Sequence, residues 1–185
     1  MITYERGSIF DESTDAIVCP VNCVGTMGAG LAKQFKERYP KNFLDYKSGC
    51  SAGTVRIGQI LVTKISDIKP PYYIFNFPTK DHFENDSKLE YIDQGMEKLI
   101  QLFTLLELRS IAIPPLGCGL GKLDYWEEVW PILNKHCWTN PLMNKNFVYM
   151  IDGKKSDEYY EKCQAIRKAE DEARGPYVPI IIEGH

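Results

Sequence analysis

The chain predicts an α/β fold, a three-layer α/β/α sandwich around a central mixed, mostly parallel sheet. Three observations carry this. Strand-like and helix-like segments alternate along the first 151 residues, which favours a parallel sheet with helices on both faces. The strand-like runs at 15–21 and 110–113 are nearly all apolar, as expected of strands covered on both sides. Both runs empty into glycine-rich loops and then into helices, an arrangement that offers backbone N–H groups to phosphate oxygens.

The elements follow in order. Ile2-Thr3-Tyr4-Glu5-Arg6 alternates weakly and stops at Gly7, so it reads as a strand. Asp15-Ala16-Ile17-Val18-Cys19-Pro20-Val21 is the second strand. A helix starts near Gly30 with Leu31, Phe35 and Tyr39 every four residues, and Pro40 closes it. Residues 59–64 and 72–77, rich in β-branched and aromatic side chains, are the next strands. Ser87-Lys88-Leu89-Glu90 matches a capping box, and Leu89, Ile92, Met96, Leu99, Phe103 and Leu106 repeat behind it at helical spacing. After the strand at 110–113, Asp124 with Glu127 caps a helix carrying Trp126, Val129, Trp130, Leu133 and Cys137, kinked by Pro131. Phe147-Val148-Tyr149-Met150-Ile151 is the last strand of a domain read as residues 1–152. Residues 153–185 read as an appended helical tail and not a separate domain. Its segment 156–174 is charged with a thin stripe of Tyr159, Cys163 and Ile166, and Ile180-Ile181-Ile182 has the composition of an edge strand.

A hydrophobic fraction of 44% over 185 residues is enough for a proper core. No apolar run approaches the roughly 20 residues of a membrane span, and the N-terminus lacks the regions of a signal peptide. A cytoplasmic monomer without membrane contact is expected. The cysteines at 19, 23, 50, 118, 137 and 163 and the histidines at 82, 136 and 185 are too scattered for a zinc pattern. Reduced thiols, no metal and no cofactor are therefore expected. Net charge is −3, yet residues 33–56 hold six bases (Lys33, Lys36, Arg38, Lys41, Lys47 and Arg56) against Glu37 and Asp45. That stretch is either a solvated helix face or a basic rim for a polyanion.

In a parallel sheet, ligands bind beyond the carboxyl ends of the strands. Cys19-Pro20-Val21-Asn22-Cys23-Val24-Gly25-Thr26-Met27-Gly28-Ala29-Gly30, Pro114-Pro115-Leu116-Gly117-Cys118-Gly119-Leu120-Gly121 and Thr79-Lys80 all fall there. Two glycine loops in one small domain suit a bisphosphate held between them. Neither has the G-x-G-x-x-G spacing after the first strand with an acid at the required distance, which argues against a dinucleotide-dependent oxidoreductase. A lysine just past a strand is ordinarily solvated. Here it shares an edge with two phosphate-type loops.

Val21 through Ala32 resembles the first ligand loop of macrodomains, the ADP-ribose-binding α/β/α module, and Pro114 through Leu123 resembles their second. Asn76-Phe77-Pro78-Thr79-Lys80 narrows the resemblance to the DarG type, bacterial antitoxin macrodomains that remove ADP-ribose from thymidine in DNA. The resemblance covers about residues 1–152. It implies that Asn22 bonds the distal ribose hydroxyls. Gly28, Ala29 and Gly30 would pass along one side of the diphosphate, Gly117, Cys118, Gly119, Leu120 and Gly121 would wrap the other, and Thr26, Met27 and Pro115 would join the ADP-ribose contacts. Ser8 and Ile9 would join the ADP-ribose contacts, although many macrodomains place an acid where this chain has Ser8. Lys80 would be catalytic at the anomeric carbon, as an attacking amine or as an ammonium that stabilises the departing base. Read from the residues themselves, His82 and Phe83 are either a pair that stacks on an exposed base or plain packed aromatics, and Lys36 and Lys41 are the candidates of the basic segment for contact with a DNA strand. The human terminal ADP-ribose glycohydrolase, a more distant relative, carries a catalytic aspartate where Gly121 stands, while Asp124 reads as a helix cap; Lys80 would then act without a carboxylate.

The implied function is a DNA ADP-ribosyl glycohydrolase acting on single-stranded DNA and countering a cognate DNA ADP-ribosyltransferase toxin. A hydrolase of ADP-ribosylated proteins or small ADP-ribose derivatives, and a non-catalytic ADP-ribose reader, are the alternatives. Lys80 favours either hydrolase over the reader.

Overall fold

The computed structural model describes residues 2–138 and 146–151, together with Glu161, Ala165, Lys168, Ala169 and Glu172. The chain divides into two compact units, Met1–Asp152 and Gly153–His185. In the second unit the five described positions are helical and exposed. The stripe of Tyr159, Cys163 and Ile166 and the strand expected at 180–182 lie outside the described residues.

The first unit holds strands β1 (Ile2–Arg6), β2 (Ala16–Val21), β3 (Leu61–Lys64), β4 (Tyr73–Pro78), β5 (Ser110–Ile113) and β6 (Asn146–Ile151). Its helices are α1 (Gly30–Arg38), α2 (Pro40–Ser51), α3 (Leu89–Leu105) and α4 (Trp130–Trp138). The strands form one six-stranded sheet in the order β1-β6-β5-β2-β4-β3. Every neighbouring pair is parallel except β3 and β4. This is the mixed, mostly parallel sandwich that the alternation predicts. Five carboxyl ends therefore share one sheet edge, where Val21 lies beside Pro78. Lys64 ends β3 at the opposite edge, beside Tyr73.

Alternation along β2 and β4 sorts the two faces. Ile17, Cys19, Val21 and Ile74 join Phe35 of α1 and Tyr46 of α2 in one buried cluster. Phe77, on the other face, packs so closely on Gly95 of α3 that a Cβ there would overlap its ring.

The structure departs from expectation in four places. Pro40 follows the end of α1, but it also opens α2, which was not foreseen. Proline suits a first helical position because its missing N–H would have no intrahelical partner. The strand expected from 59 begins at Leu61, since the Gln59 N–H turns back to the Arg56 carbonyl at 2.9 Å. The capping box does not form: Lys88 precedes α3 with no side-chain cap, while the Ser87 N–H donates to the Gly121 carbonyl at 3.0 Å. Finally, Pro131 does not kink a helix midway. A π-helical turn, Tyr125–Val129, precedes α4, and Pro131 stands second in α4. In that wider turn the Val129 N–H reaches the Asp124 carbonyl and the Trp130 N–H reaches that of Tyr125. The ladder thus changes register just before the residue that lacks an N–H.

Asp124 is the predicted cap, accepting from the Trp126 and Glu127 N–H groups at 2.9 and 3.1 Å. Glu128, not Glu127, accepts from the Asp124 N–H at 2.7 Å. No helix among the described residues is long and apolar enough to cross a membrane.

Candidate active site

The first glycine loop is built around Asn22, the residue after β2. Its Oδ1 accepts from the Val24 N–H at 3.0 Å and the Thr26 N–H at 3.3 Å, while its Nδ2 donates to the Thr26 carbonyl at 2.6 Å. From α2 the Tyr46 hydroxyl reaches the same Oδ1 and the Asn22 backbone oxygen, each at 2.9 Å. The carboxamide expected to meet ribose thus also scaffolds its own loop, and Tyr46, absent from the sequence reading, fixes it. Burial raises the Tyr46 pKa, so the phenol remains a donor. Met27 is buried in the core cluster, whereas Gly28, Ala29 and Gly30 are exposed at the start of α1. Ala29 precedes that helix with no side-chain cap, which leaves the first-turn N–H groups for a ligand.

The second loop is rigid for a different reason. Gly117 has φ +74°, and a Cβ there would lie 2.8 Å from Leu123 Cδ1. At Gly121 a Cβ would overlap both the Gly117 carbonyl and the Ser87 hydroxyl. Both glycines are therefore demanded by packing. At Gly119, by contrast, a Cβ would meet nothing within 4 Å, so this position is the open face of the loop. The Leu123 N–H donates to Gly117 and the Cys118 N–H to Pro115, closing the turn. Gly30 faces Leu120 across the gap: a Cβ at Gly30 would sit 3.8 Å from Leu120 Cδ1. The two glycine loops are thus opposed.

Lys80 stands between them. Its Nζ donates to the Leu120 carbonyl at 2.6 Å and lies 3.5 Å from that of Phe83. Cys23 ties the first loop to this segment, its N–H donating to the Asp81 carbonyl at 3.2 Å and its thiol to the Lys80 carbonyl at 3.4 Å. Burial, followed by Cys50 and Asp81, pushes the Cys23 thiol up to about 11, so it is no nucleophile near neutral pH. His82 and Phe83 stack with ring centroids 4.3 Å apart, and Phe83 is 48% exposed.

Other expected residues are placed differently. Ser8 caps a short 3-10 turn by accepting from the Phe10 N–H at 3.3 Å, and Ile9 is in the core. Lys36 stands over the Phe43 ring at 4.5 Å, in the last turn of a helix that runs away from the glycine loops. The Lys41 Nζ reaches the Lys64 carbonyl at 3.4 Å, at the opposite edge of the sheet from Lys80. The structure therefore does not bring Lys36 and Lys41 to the site, because α1 carries the chain away before α2 returns. No group of side chains that could hold a metal occurs among the described residues.

Residues 18–133 match the model of the Macro domain family. The chain belongs to the macrodomain family. It is 48% identical over 129 residues to the DNA ADP-ribosyl glycohydrolase of Mycobacterium tuberculosis, covering 70% of this chain and 36% of that protein. It is 28% identical over 146 residues to a DNA ADP-ribosyl transferase-DNA ADP-ribosyl glycohydrolase fusion protein of Thermosipho africanus, covering 71% of this chain and 37% of the fusion. The chain spans little more than a third of the length of these curated relatives. Among solved structures, the macrodomain of Mycobacterium tuberculosis DarG superposes with a TM-score of 0.79 at 42% identity, covering 83% of this chain and 99% of that one.

Proposed function

We propose that this macrodomain is a DNA ADP-ribosyl glycohydrolase that removes ADP-ribose from thymine bases of single-stranded DNA. One observation carries the reading: the Lys80 Nζ, 2.6 Å from the Leu120 carbonyl, stands between two opposed glycine loops. Loops open at 28, 30 and 119 suit a diphosphate, and α1 directs its N-terminus at one of them. The distal ribose would then reach Lys80. The relatives that act on ADP-ribosylated DNA supply the substrate class.

The chemistry needs little more. When the bond from the anomeric carbon to the thymine nitrogen breaks, the electron pair stays on nitrogen as an imide anion delocalised over the flanking carbonyls. Lys80, which acts as a donor in this geometry, stabilises that charge. Water adds its oxygen to the anomeric carbon, and its proton passes to the base. Such a leaving group does not require a strong carboxylic acid, consistent with Gly121 in the loop and Asp124 held as a helix cap. Within this reading the chain is a monomeric cytoplasmic antitoxin module that repairs DNA, with a DNA ADP-ribosyltransferase as its partner. The fused transferase of the Thermosipho africanus relative supports that pairing.

Incubating the protein in parallel with ADP-ribosylated single-stranded DNA, ADP-ribosylated protein and small ADP-ribose derivatives tests the assignment. Release from DNA is expected to dominate. Release only from protein would move the substrate class, and binding of ADP-ribose without release from any of them would make the chain a reader.

A further inference from the structure

Of the six bases between 33 and 56, four are engaged in the structure. Lys33 pairs with Glu37 at 3.9 Å, Lys36 covers Phe43, Arg38 covers Phe10 at 4.4 Å, and Lys41 reaches the Lys64 carbonyl. Among the described residues, Lys47 and Arg56 have no such side-chain partner. Both are exposed, and the chain from 46 to 66 carries three bases and no acid.

Their place in the fold is as informative as their lack of partners. Because α2 returns toward the glycine loops, Lys47 borders the first of them: a Cβ at Gly25 would lie 3.6 Å from Lys47 Cγ. Arg56 follows Val55, whose N–H reaches the Gly49 carbonyl of α2 at 3.3 Å. Cys23 of the first loop contacts the Lys80 and Asp81 carbonyls. The first loop, with Val24 46% exposed, is thus bordered by Lys47 and bonded through Cys23 to the segment that carries Lys80 and the His82–Phe83 pair.

We propose that Lys47 and Arg56 form a phosphate-contacting lip for the DNA strand that flanks the modified base. The proposal rests on the reading of the chain as a DNA ADP-ribosyl glycohydrolase and extends it to a strand path. Unpaired cationic side chains next to the first glycine loop, and an aromatic pair just beyond Lys80 in which Phe83 is 48% exposed, match the two features by which proteins hold single strands, phosphate neutralisation and base stacking. An acidic peptide would use the cations but gain nothing from the stack. Lys47 borders Gly25 and not the glycines at 28 and 30, so the lip distinguishes a strand from a single nucleotide.

The test uses Lys47→Gln with Arg56→Gln, compared with Lys69→Gln with Arg109→Gln, which removes the same charge at the opposite edge of the sheet. Substrates are an ADP-ribosylated oligonucleotide, ADP-ribosylated thymidine and an ADP-ribosylated acidic peptide, each across a range of salt. Melting with and without ADP-ribose verifies that the variants fold and keep the ligand site. In the lip variant KM for the oligonucleotide should rise several-fold, and the slope of log(kcat/KM) against log salt should flatten by about 1.4, the value for two single-strand phosphates. Thymidine turnover and the control pair should not change. If wild type cleaves both DNA substrates and the lip variant keeps the full salt slope, the lip is wrong while the function stands. If wild type cleaves neither DNA substrate, the function itself fails and the lip with it. Loss confined to the peptide would replace the DNA strand with an acidic protein.

Discussion

The Tyr46 hydroxyl lies 2.9 Å from both oxygens of Asn22, its backbone carbonyl and its side-chain Oδ1. A core residue of α2 thereby sets the conformation of the first glycine loop. Tyr46→Phe removes the donor while keeping the ring, so stability should fall by about 1 kcal/mol. ADP-ribose should also bind more weakly, because the loop must then be ordered on binding. Melting and calorimetry read both effects, and unchanged affinity would mean that Asn22 holds the loop without Tyr46.

Lys80→Ala should retain ADP-ribose binding and lose most turnover of ADP-ribosylated thymidine DNA, since only the charge at the leaving group is removed. Borohydride added during turnover by the wild type should trap no adduct on Lys80; a trapped adduct would replace electrostatic help with attack by the amine. Asp124→Ala should instead cost about 1 kcal/mol as a lost helix cap and leave the rate nearly intact. A large rate loss at unchanged melting temperature would bring Asp124 into the mechanism.

The glycines of the second loop should separate into two classes. Gly121→Ala forces a Cβ into the Gly117 carbonyl and the Ser87 hydroxyl, so it should destabilise by about 1–3 kcal/mol. Gly119→Leu meets no protein atom at its Cβ and should melt like wild type, yet lose the stabilisation that ADP-ribose confers. Equal ligand-induced shifts in Gly119→Leu and wild type would remove this face from the diphosphate path.

A pH effect is expected away from the site. Asp93 lies 2.7 Å from His136 Nε2 and 3.2 Å from Lys135 Nζ, and the histidine bond above all lowers the Asp93 pKa. A carboxyl depressed in the folded state adds stability above its unfolded value, about 3.9, and that contribution fades as pH falls through the folded value. Asp93→Asn should therefore melt below wild type at pH 7 and converge with it below about pH 4. Asp93 is partly exposed, so the gap should stay under about 1 kcal/mol. A gap that persists in acid would point to lost packing.

Much of this architecture is legible in the sequence because its signals are local. The apolar run of β2, the heptad-like spacing of α3 and the glycines at 28, 30, 117, 119 and 121 announce themselves within a few residues. What escapes is set by contacts distant in the chain. Nothing near Ser87 shows that its N–H serves Gly121 in place of capping α3. The helix α2 hides behind Pro40, which reads as an end, and with it goes the placement of every base from Lys41 to Lys47. Charge counts over 33–56 locate a basic segment; only the return of α2 shows that Lys47 borders the first glycine loop.

Beneath the site, Asn42 of α2 and Asn76 of β4 exchange hydrogen bonds at 3.0 and 2.8 Å in the buried interior, and Asn76 also donates to the Leu61 carbonyl at 3.2 Å. The pair fixes how far α2 can slide along the sheet, and so the separation of Tyr46 from β4, which ends at Pro78, two residues before Lys80. Changing one partner alone would strand a buried amide at a cost of about 1–3 kcal/mol, whereas an apolar pair of like shape could be nearly neutral. Descendants of this sequence would therefore have to cross a valley to lose it, and the two positions should drift together or not at all.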